Sequence, residues 1–203
     1  MDEAIVRAAR EAIPADALLM VDAGASDAFW PQDYKWAART AQMLAGYGVH
    51  WFEEPLAPDN LHDYVLLRGS SPVPIAGGEV LTRRQSFTPW LQQRAFDIVQ
   101  PDVTKCGGIS EERRIAWMAQ ECGVRFIPHG WNTALGLAAD LHLASASPQT
   151  DLVEYLSGSP FIDELAQGGW KLDREGMLPI PDGPGLGVQL NLDMVEKYTG
   201  VRF

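Results

Sequence analysis

Acidic side chains and one histidine recur at a regular interval along the chain, each at or near the end of a short apolar run. The six residues are Asp22, Glu53, Glu79, Asp102, His129 and Glu154. Successive members are separated by 31, 26, 23, 27 and 25 residues. One strand and one helix of a parallel barrel occupy about 30 residues, so this interval predicts one polar group per strand on the same face.

The first three members of this series, Asp22, Glu53 and Glu79, are all carboxylates. Oxygen ligands suit a hard divalent cation, and Mg2+ keeps positions open for water or substrate oxygens. Zinc is disfavoured because no histidine or cysteine joins the three. A single acid at a strand end is more often a loop carboxylate or a helix cap, and it is the shared register that favours a magnesium site.

Asp102 and His129 come at the ends of the next two predicted strands, where they could form a carboxylate–imidazole hydrogen bond. Such a bond would fix the imidazole tautomer and raise its pKa, which would place a general base beside the metal. A lone histidine is more often structural, but the register of His129 with the acids favours the catalytic interpretation.

Short apolar runs and helical patterns alternate along the chain and define the elements that must position these side chains. The predicted strands span residues 17–21, 49–52, 73–76, 96–99, 124–127 and 151–155. Between them, apolar residues recur at three- and four-residue spacing, as at Ile115, Met118, Ala119 and Cys122. This alternation predicts an α/β fold whose parallel sheet is covered by helices, either an open doubly wound sheet or a closed barrel.

Residues 1–203 are predicted to form a single domain, since no Ser/Gly linker or charge block divides the chain. The first predicted helix spans residues 3–13. Gly- and Pro-rich sequence from about residue 159 to 203 predicts a closing tail of loops and short strands, with a last helix at 192–198.

Charge and composition argue against several classes of protein. The net charge of -11 disfavours nucleic acid and anionic membranes as partners, because both require clustered Lys and Arg. No apolar run approaches the roughly 18 residues of a membrane span, and the N-terminus lacks the apolar region of a secretory signal. Cys106 and Cys122 have neither zinc-site nor CxxC spacing, which favours reduced thiols. We therefore expect a cytoplasmic protein without nucleic-acid or membrane partners.

The residues at the predicted strand ends form motifs in a distinctive order. They are Val21-Asp22-Ala23-Gly24, Trp51-Phe52-Glu53-Glu54-Pro55, Ala76-Gly77-Gly78-Glu79, Gln100-Pro101-Asp102 with Lys105-Cys106-Gly107-Gly108-Ile109, and Pro128-His129-Gly130. Together they resemble the enolase superfamily, mandelate racemase subgroup (mandelate racemase/muconate lactonizing enzyme-like), from about residue 2 to the end. The resemblance implies a TIM-type (β/α)7β barrel.

The same resemblance implies a role for each residue of the series. Asp22, Glu53 and Glu79 would bind Mg2+, His129 would be the base with Asp102 as its partner, and Glu154 would bond a substrate carboxylate oxygen. Glu54 would lie behind the metal ligands, Lys105 stands where other subgroups place a catalytic lysine, and Trp131 and Asn132 would line the substrate pocket. For Trp131 the alternative is a side chain packed beneath a loop.

Two parts of the family pattern have no counterpart in the chain. One is a Lys-x-Lys motif on the second barrel strand, which supplies a base opposite the histidine, and the other is an N-terminal capping domain. We therefore expect an incomplete barrel without the cap and about the first two strands. We expect a homo-oligomer for the full-length form.

The predicted chemistry is Mg2+-dependent removal of the proton next to a carboxylate. The preferred reaction is dehydration of an acid sugar to a 2-keto-3-deoxy acid by a carbon–oxygen lyase, because one histidine can take the proton and return one to the leaving hydroxyl. A racemase or epimerase of a 2-hydroxy acid, which needs a second base, is the alternative. A catalytically silent fragment of such an enzyme is a second alternative. The expected partner is a small carboxylate substrate.

Overall fold

The computed structural model describes residues 2–25 and 33–200. Helices and short strands alternate along them. In chain order they are α1 Asp2–Ala12, β1 Val21–Asp22, α2 Tyr34–Ala45, β2 Phe52–Glu53, α3 Leu61–Ser70, β3 Ile75–Gly77, α4 Arg83–Gln92, β4 Ile98–Val99, α5 Val103–Cys106, α6 Ile109–Glu121, β5 Arg125–Phe126, α7 Ala134–Ser145, α8 Pro160–Asp163 and α9 Leu192–Thr199. The alternation predicted from the sequence is confirmed.

The strands form one parallel sheet in the order β1-β2-β3-β4-β5. Each strand pairs with the next along the chain, so all crossovers run in the same direction and the order does not reverse. A doubly wound sheet would reverse its order at a switch point. The sequential order is that of a barrel wall, which decides between the two architectures left open by the sequence.

Alternation of side chains across the sheet separates a large outer core from a small inner one. Phe52, Ile75 and Val99 pack against the helices, in a cluster that includes Leu44, Leu67, Phe87, Leu91 and Ile115. On the opposite face Trp51, Ala76, Ile98 and Ile127 form the inner cluster. Glu53 follows Trp51 by two residues, so its side chain lies on the same inner face of the sheet as the side chain of Trp51.

The sixth predicted strand, 151–155, is wrong: within the described part of the chain it has no strand assignment. Side chains hold this segment beside β5 instead of a backbone ladder. Thr150 Oγ1 donates to the carbonyl of Phe126 over 2.9 Å, and Arg125 pairs with Asp151. The position of the segment next to β5 is therefore as expected, but its backbone pairing is not.

The C-terminal tail consists of loops, α8 and α9, joined by one isolated antiparallel bridge between Ala166 and Leu190. The predicted last helix at 192–198 corresponds to α9. Among the described residues, none of the helices has the length and apolar character needed to cross a bilayer.

Candidate active site

Strand register brings the acids of the series to one end of the sheet. Asp22 and Glu53 are the last residues of β1 and β2 and lie opposite each other in the ladder. Glu53 is in turn opposite Ala76 of β3, and Glu79 follows that strand. Asp102 and His129 follow β4 and β5 at the same distance along the chain. The carboxyl end of the sheet therefore carries all five side chains.

Asp102 and His129 form a buried hydrogen bond, His129 Nδ1 to Asp102 Oδ2, of 2.9 Å. Asp102 is fully buried and His129 is 3 % exposed. The other oxygen of Asp102 accepts from the backbone and hydroxyl groups of Thr104, at 2.7 and 2.5 Å, because Asp102 caps the N-terminus of α5. Both carboxylate oxygens are thus fixed, and the imidazole is oriented by its Nδ1.

The second imidazole nitrogen, Nε2 of His129, lies 2.9 Å from Oε2 of Glu79. Lys105 Nζ is 3.5 Å from the other oxygen of Glu79 and 3.6 Å from Asp102 Oδ2. Burial alone would lower the pKa of His129, but its hydrogen bonds to Asp102 and Glu79 outweigh burial and raise it to about 10. In this arrangement the imidazole is positively charged at neutral pH.

The two acids bonded to His129 have lowered pKa values, whereas the pKa of the imidazole is raised. Burial opposes ionisation of Asp102, yet the bonds from His129 and Thr104 lower its pKa to about 2. Burial likewise opposes ionisation of Glu79, but His129 and Lys105 lower its pKa overall. Both carboxylates are therefore ionised around a cationic imidazole.

Glu53 differs from these two acids, since it is buried and, among the described residues, forms no ion pair with a cationic side chain. It is 9 % exposed and accepts a 3.0 Å hydrogen bond from Trp51 Nε1. Burial raises its pKa to about 7; hydrogen bonds from Gln100 and Trp51 oppose the shift, and the charges of Asp22 and Glu154 add to it. The structure thus places a buried carboxylate in a field of other negative charges.

These acids have the donor chemistry of a magnesium site. Asp22, Glu53 and Glu79 offer oxygen atoms only, and a divalent cation would offset the repulsion that Asp22 and Glu154 exert on Glu53. Within residues 2–25 and 33–200, however, no group of three or more His, Cys, Asp or Glu side chains is arranged closely enough to hold an ion. Glu79 is bonded to His129 instead.

Glu154 and Glu54 lie beside this group. Glu154 Oε2 accepts a 2.7 Å hydrogen bond from the backbone of Gly130, so it reaches the loop that follows His129. Glu54 is 3 % exposed and adopts φ +41°, a left-handed conformation that is strained for a glutamate. The chain therefore turns sharply directly after Glu53.

The remaining predicted pocket residues differ in exposure. Trp131 is 67 % exposed, so the alternative of a tryptophan packed beneath a loop is wrong. Asn132 is half-buried and lies against α7 at Gly136, where an added Cβ would come within 2.2 Å of its Oδ1. Lys105 is partly exposed, with its amine between Glu79 and Asp102.

Some polar groups near the site were missed by the sequence reasoning. Gln100 and Trp51 bond Glu53, and Glu112 and Asp140 are fully buried acids in α6 and α7. Asp140 gave a signal, because it stands alone in the apolar stretch of α7. Glu112 gave none, because it stands in the first turn of α6, where exposed acids are common.

Comparison with known proteins identifies the family of the chain. The model of the family described as "Enolase C-terminal domain-like" matches residues 1–194. The chain is similar to the D-galactarolactone cycloisomerase of Agrobacterium fabrum, at 35 % identity over 97 % of the chain and 53 % of that protein. It is also similar to the arabinonate dehydratase of Saccharolobus solfataricus, at 34 % identity over 98 % and 52 %.

Solved structures are also similar to this chain over nearly its whole length. The 3,6-anhydro-D-galactonate cycloisomerase of Zobellia galactanivorans superposes with a TM-score of 0.85 at 32 % identity, over 97 % of this chain and 54 % of that one. A mandelate racemase/muconate lactonizing enzyme of Sulfitobacter sp. superposes with a TM-score of 0.86 at 29 % identity, over 96 % and 48 %. The chain spans about half the length of the curated relatives it matches.

Proposed function

Because the chain belongs to the Enolase C-terminal domain-like family, we propose that its site removes the proton next to a substrate carboxylate. The preferred reaction is dehydration of an acid sugar to a 2-keto-3-deoxy acid, by a carbon–oxygen lyase. The observation that carries this proposal is the Asp102–His129 bond of 2.9 Å beside Glu79 at the carboxyl end of the sheet.

His129 is the proposed base and Asp102 the residue that orients it. With Nδ1 bonded to Asp102, only Nε2 can meet a substrate, and it can accept a proton only after it has left Glu79 and lost its own proton. After accepting the proton, the imidazolium can donate it to a hydroxyl leaving from the β-carbon. One histidine thus serves both transfers of a dehydration.

Negative charge builds on the substrate carboxylate as the α-proton leaves, and the site must offset it. Mg2+ held by Asp22, Glu53 and Glu79 would supply this stabilisation as a Lewis acid. Lys105, whose amine lies 3.5 Å from Glu79, would add positive charge on the same side. Glu154 would bond a substrate carboxylate oxygen, and Trp131 and Asn132 would border the pocket.

The names of relatives point to two outcomes, of which the preferred dehydration is one. A relative named a D-galactarolactone cycloisomerase favours an isomerisation of a sugar-acid lactone. Relatives named D-xylonate dehydratase and arabinonate dehydratase favour loss of water from an aldonic acid. Racemisation or epimerisation of a 2-hydroxy acid would require a second base. We prefer dehydration, with a small acid sugar as substrate and a homo-oligomer as the full-length form.

The test incubates the chain with a set of aldonic acids, aldaric acids and their lactones in Mg2+-containing deuterium oxide. Mass spectrometry and a 2-keto acid assay follow each compound. A 2-keto product lighter by one water, apart from deuterium taken up from the solvent, supports dehydration. An isomeric product of unchanged mass, apart from solvent deuterium, supports the cycloisomerase, and deuterium at the α-carbon of a stereoisomer supports the racemase. Equal, background-level exchange by the parent and by His129→Asn would make the chain catalytically silent and overturn the proposal.

A further inference from the structure

Glu112 of α6 and Asp140 of α7 are buried acids to which the proposed chemistry gives no role. Both are 0 % exposed. Within the described residues, none of their four carboxylate oxygens has a hydrogen-bond partner. Asn132, in the loop between β5 and α7, approaches Asp140 closely enough to favour its charged form, although neither of its amide atoms makes a well-formed hydrogen bond in that same part of the chain. Buried polar groups without partners therefore lie on two contacting helices, α6 and α7, and in the loop that follows His129.

Two ionised carboxylates cannot be retained in such surroundings at low cost. Burying a polar group without a hydrogen bond is unfavourable, and burying an isolated charge is far more so, which means that the group becomes neutral instead. Arg and Lys are the usual partners of buried acids, and no hydrogen bond or ion pair to either residue is present at Glu112 or Asp140 within residues 2–25 and 33–200. A proton is the simplest means of neutralising the pair.

We propose that Glu112 and Asp140 act as one buried acid pair that retains at least one proton at neutral pH and positions, through Asn132, the loop that follows His129. The loop is held tightly, since Asn132 packs directly on the backbone of α7 at Gly136. The proton assignment does not depend on the proposed reaction. Only its consequence for catalysis rests on the proposed function.

Nearby acids raise the pKa of both members of the pair, and His129 opposes them. Burial, together with the charges of Asp140 and Asp102, raises the pKa of Glu112 to about 9 against the opposing charge of His129. Burial raises the pKa of Asp140 to about 8, Asn132 and His129 oppose the shift, and Asp102 and Glu154 add to it. An un-ionised pair leaves Asp102 as the ionised carboxylate bonded to His129, which preserves the charge balance of that bond.

Infrared difference spectroscopy of the whole chain tests the proton directly. Spectra of Glu112→Gln, Asp140→Asn and the double variant are each subtracted from the parent spectrum at neutral pH, so that Glu53 and other acids cancel. We expect the unsubstituted chain to show the carbonyl stretch of an un-ionised carboxyl group, and the double variant to lack it. In the unsubstituted chain this band should disappear as the pH rises through about 8–9. Glu121→Gln, at an exposed position of the same helix, is the matched control and should leave the band unchanged.

Hydrogen exchange tests the positioning role without an activity assay. After correction for the intrinsic rate, amides of residues 130–133 should exchange several-fold faster in the parent above pH 9 than at pH 7, because ionised acids repel each other beneath the loop. The double variant should show no such change.

If the difference spectra show only carboxylate bands at neutral pH, the proposal is overturned. If the un-ionised band is absent and the melting temperature depends on added K+ or Mg2+, the two acids form a cation site instead. That result would overturn the proposal too.

Discussion

Nε2 of His129 lies 2.9 Å from Oε2 of Glu79, so the proposed base contacts a proposed metal ligand. The contact joins a cationic imidazole to a carboxylate whose pKa it helps to lower. The imidazole and the carboxylate are each other's partners, so the Glu79 side chain does not join those of Asp22 and Glu53 around a common point. Under the proposed function, metal binding by Glu79 and proton abstraction by His129 would both require this ion pair to break.

Replacing His129 by asparagine should separate the two roles. We expect His129→Asn to slow α-proton exchange by about 10²- to 10⁴-fold, the contribution of a positioned general base. Its affinity for Mg2+, measured by titration calorimetry, should be no weaker than that of the parent, because Glu79 loses its competing partner. His62→Asn, at an exposed position of α3, is the control and should change neither quantity.

Glu53→Gln gives the complementary result: Mg2+ binding should weaken markedly because a proposed ligand loses its charge. If His129→Asn removed metal binding and Glu53→Gln did not, the assignment of base and ligand would be wrong.

Asp102 should stabilise the fold in a pH-dependent manner. Its pKa is about 2 in the folded chain against 3.8 for an ordinary aspartate, so its contribution is present above about pH 4 and lost as the pH falls towards 2. The shift corresponds to about 2 kcal/mol at neutral pH. Urea unfolding of the parent and of Asp102→Asn between pH 7 and 3 measures this difference. It should shrink on acidification, and the exposed Asp16→Asn control should show no such trend.

The spacing of polar residues was enough to predict which side chains gather at the carboxyl end of the sheet. Runs at 49–52, 73–76, 96–99 and 124–127 each overlap an observed strand, because a buried parallel strand needs a local apolar run. The pairing of Asp102 with His129 followed from their equal offsets behind adjacent strands. Strand period and register are properties of local sequence, which explains this success.

The errors concern contacts that only packing decides. The segment 151–155 has strand-forming residues, yet side-chain bonds from Thr150 and Arg125 replace its ladder. The contact between Glu79 and His129 depends on side-chain rotamers, which spacing does not determine. Glu112 resembles any surface glutamate of an amphipathic helix until α7 covers it.

The two cysteines should differ sharply in reactivity. Cys106 is fully buried, and burial raises the pKa of its thiol well above the ordinary value, whereas Cys122 at the end of α6 is partly exposed. Because the thiolate is the reactive form, iodoacetamide should label Cys122 in the native chain and Cys106 only after unfolding in urea. Peptide mass spectrometry measures both, and Cys122→Ser should leave the native chain unlabelled. Labelling of Cys106 at the rate of Cys122 would contradict the buried position of α5.

Gly130 should tolerate no side chain, because the loop after His129 touches Glu154. A Cβ at this position would lie 2.3 Å from the backbone oxygen of Glu154, whose side chain also accepts the Gly130 N–H. We expect Gly130→Ala to destabilise the chain by about 1–3 kcal/mol, as for other overpacked sites.

Gly69, inside α3 with nothing within 4 Å of an added Cβ, is the matched control. There Gly69→Ala should stabilise by about 0.5–1 kcal/mol, since alanine favours the helix. Urea unfolding measures both, and equal effects of the two substitutions would show that Glu154 does not press on the loop.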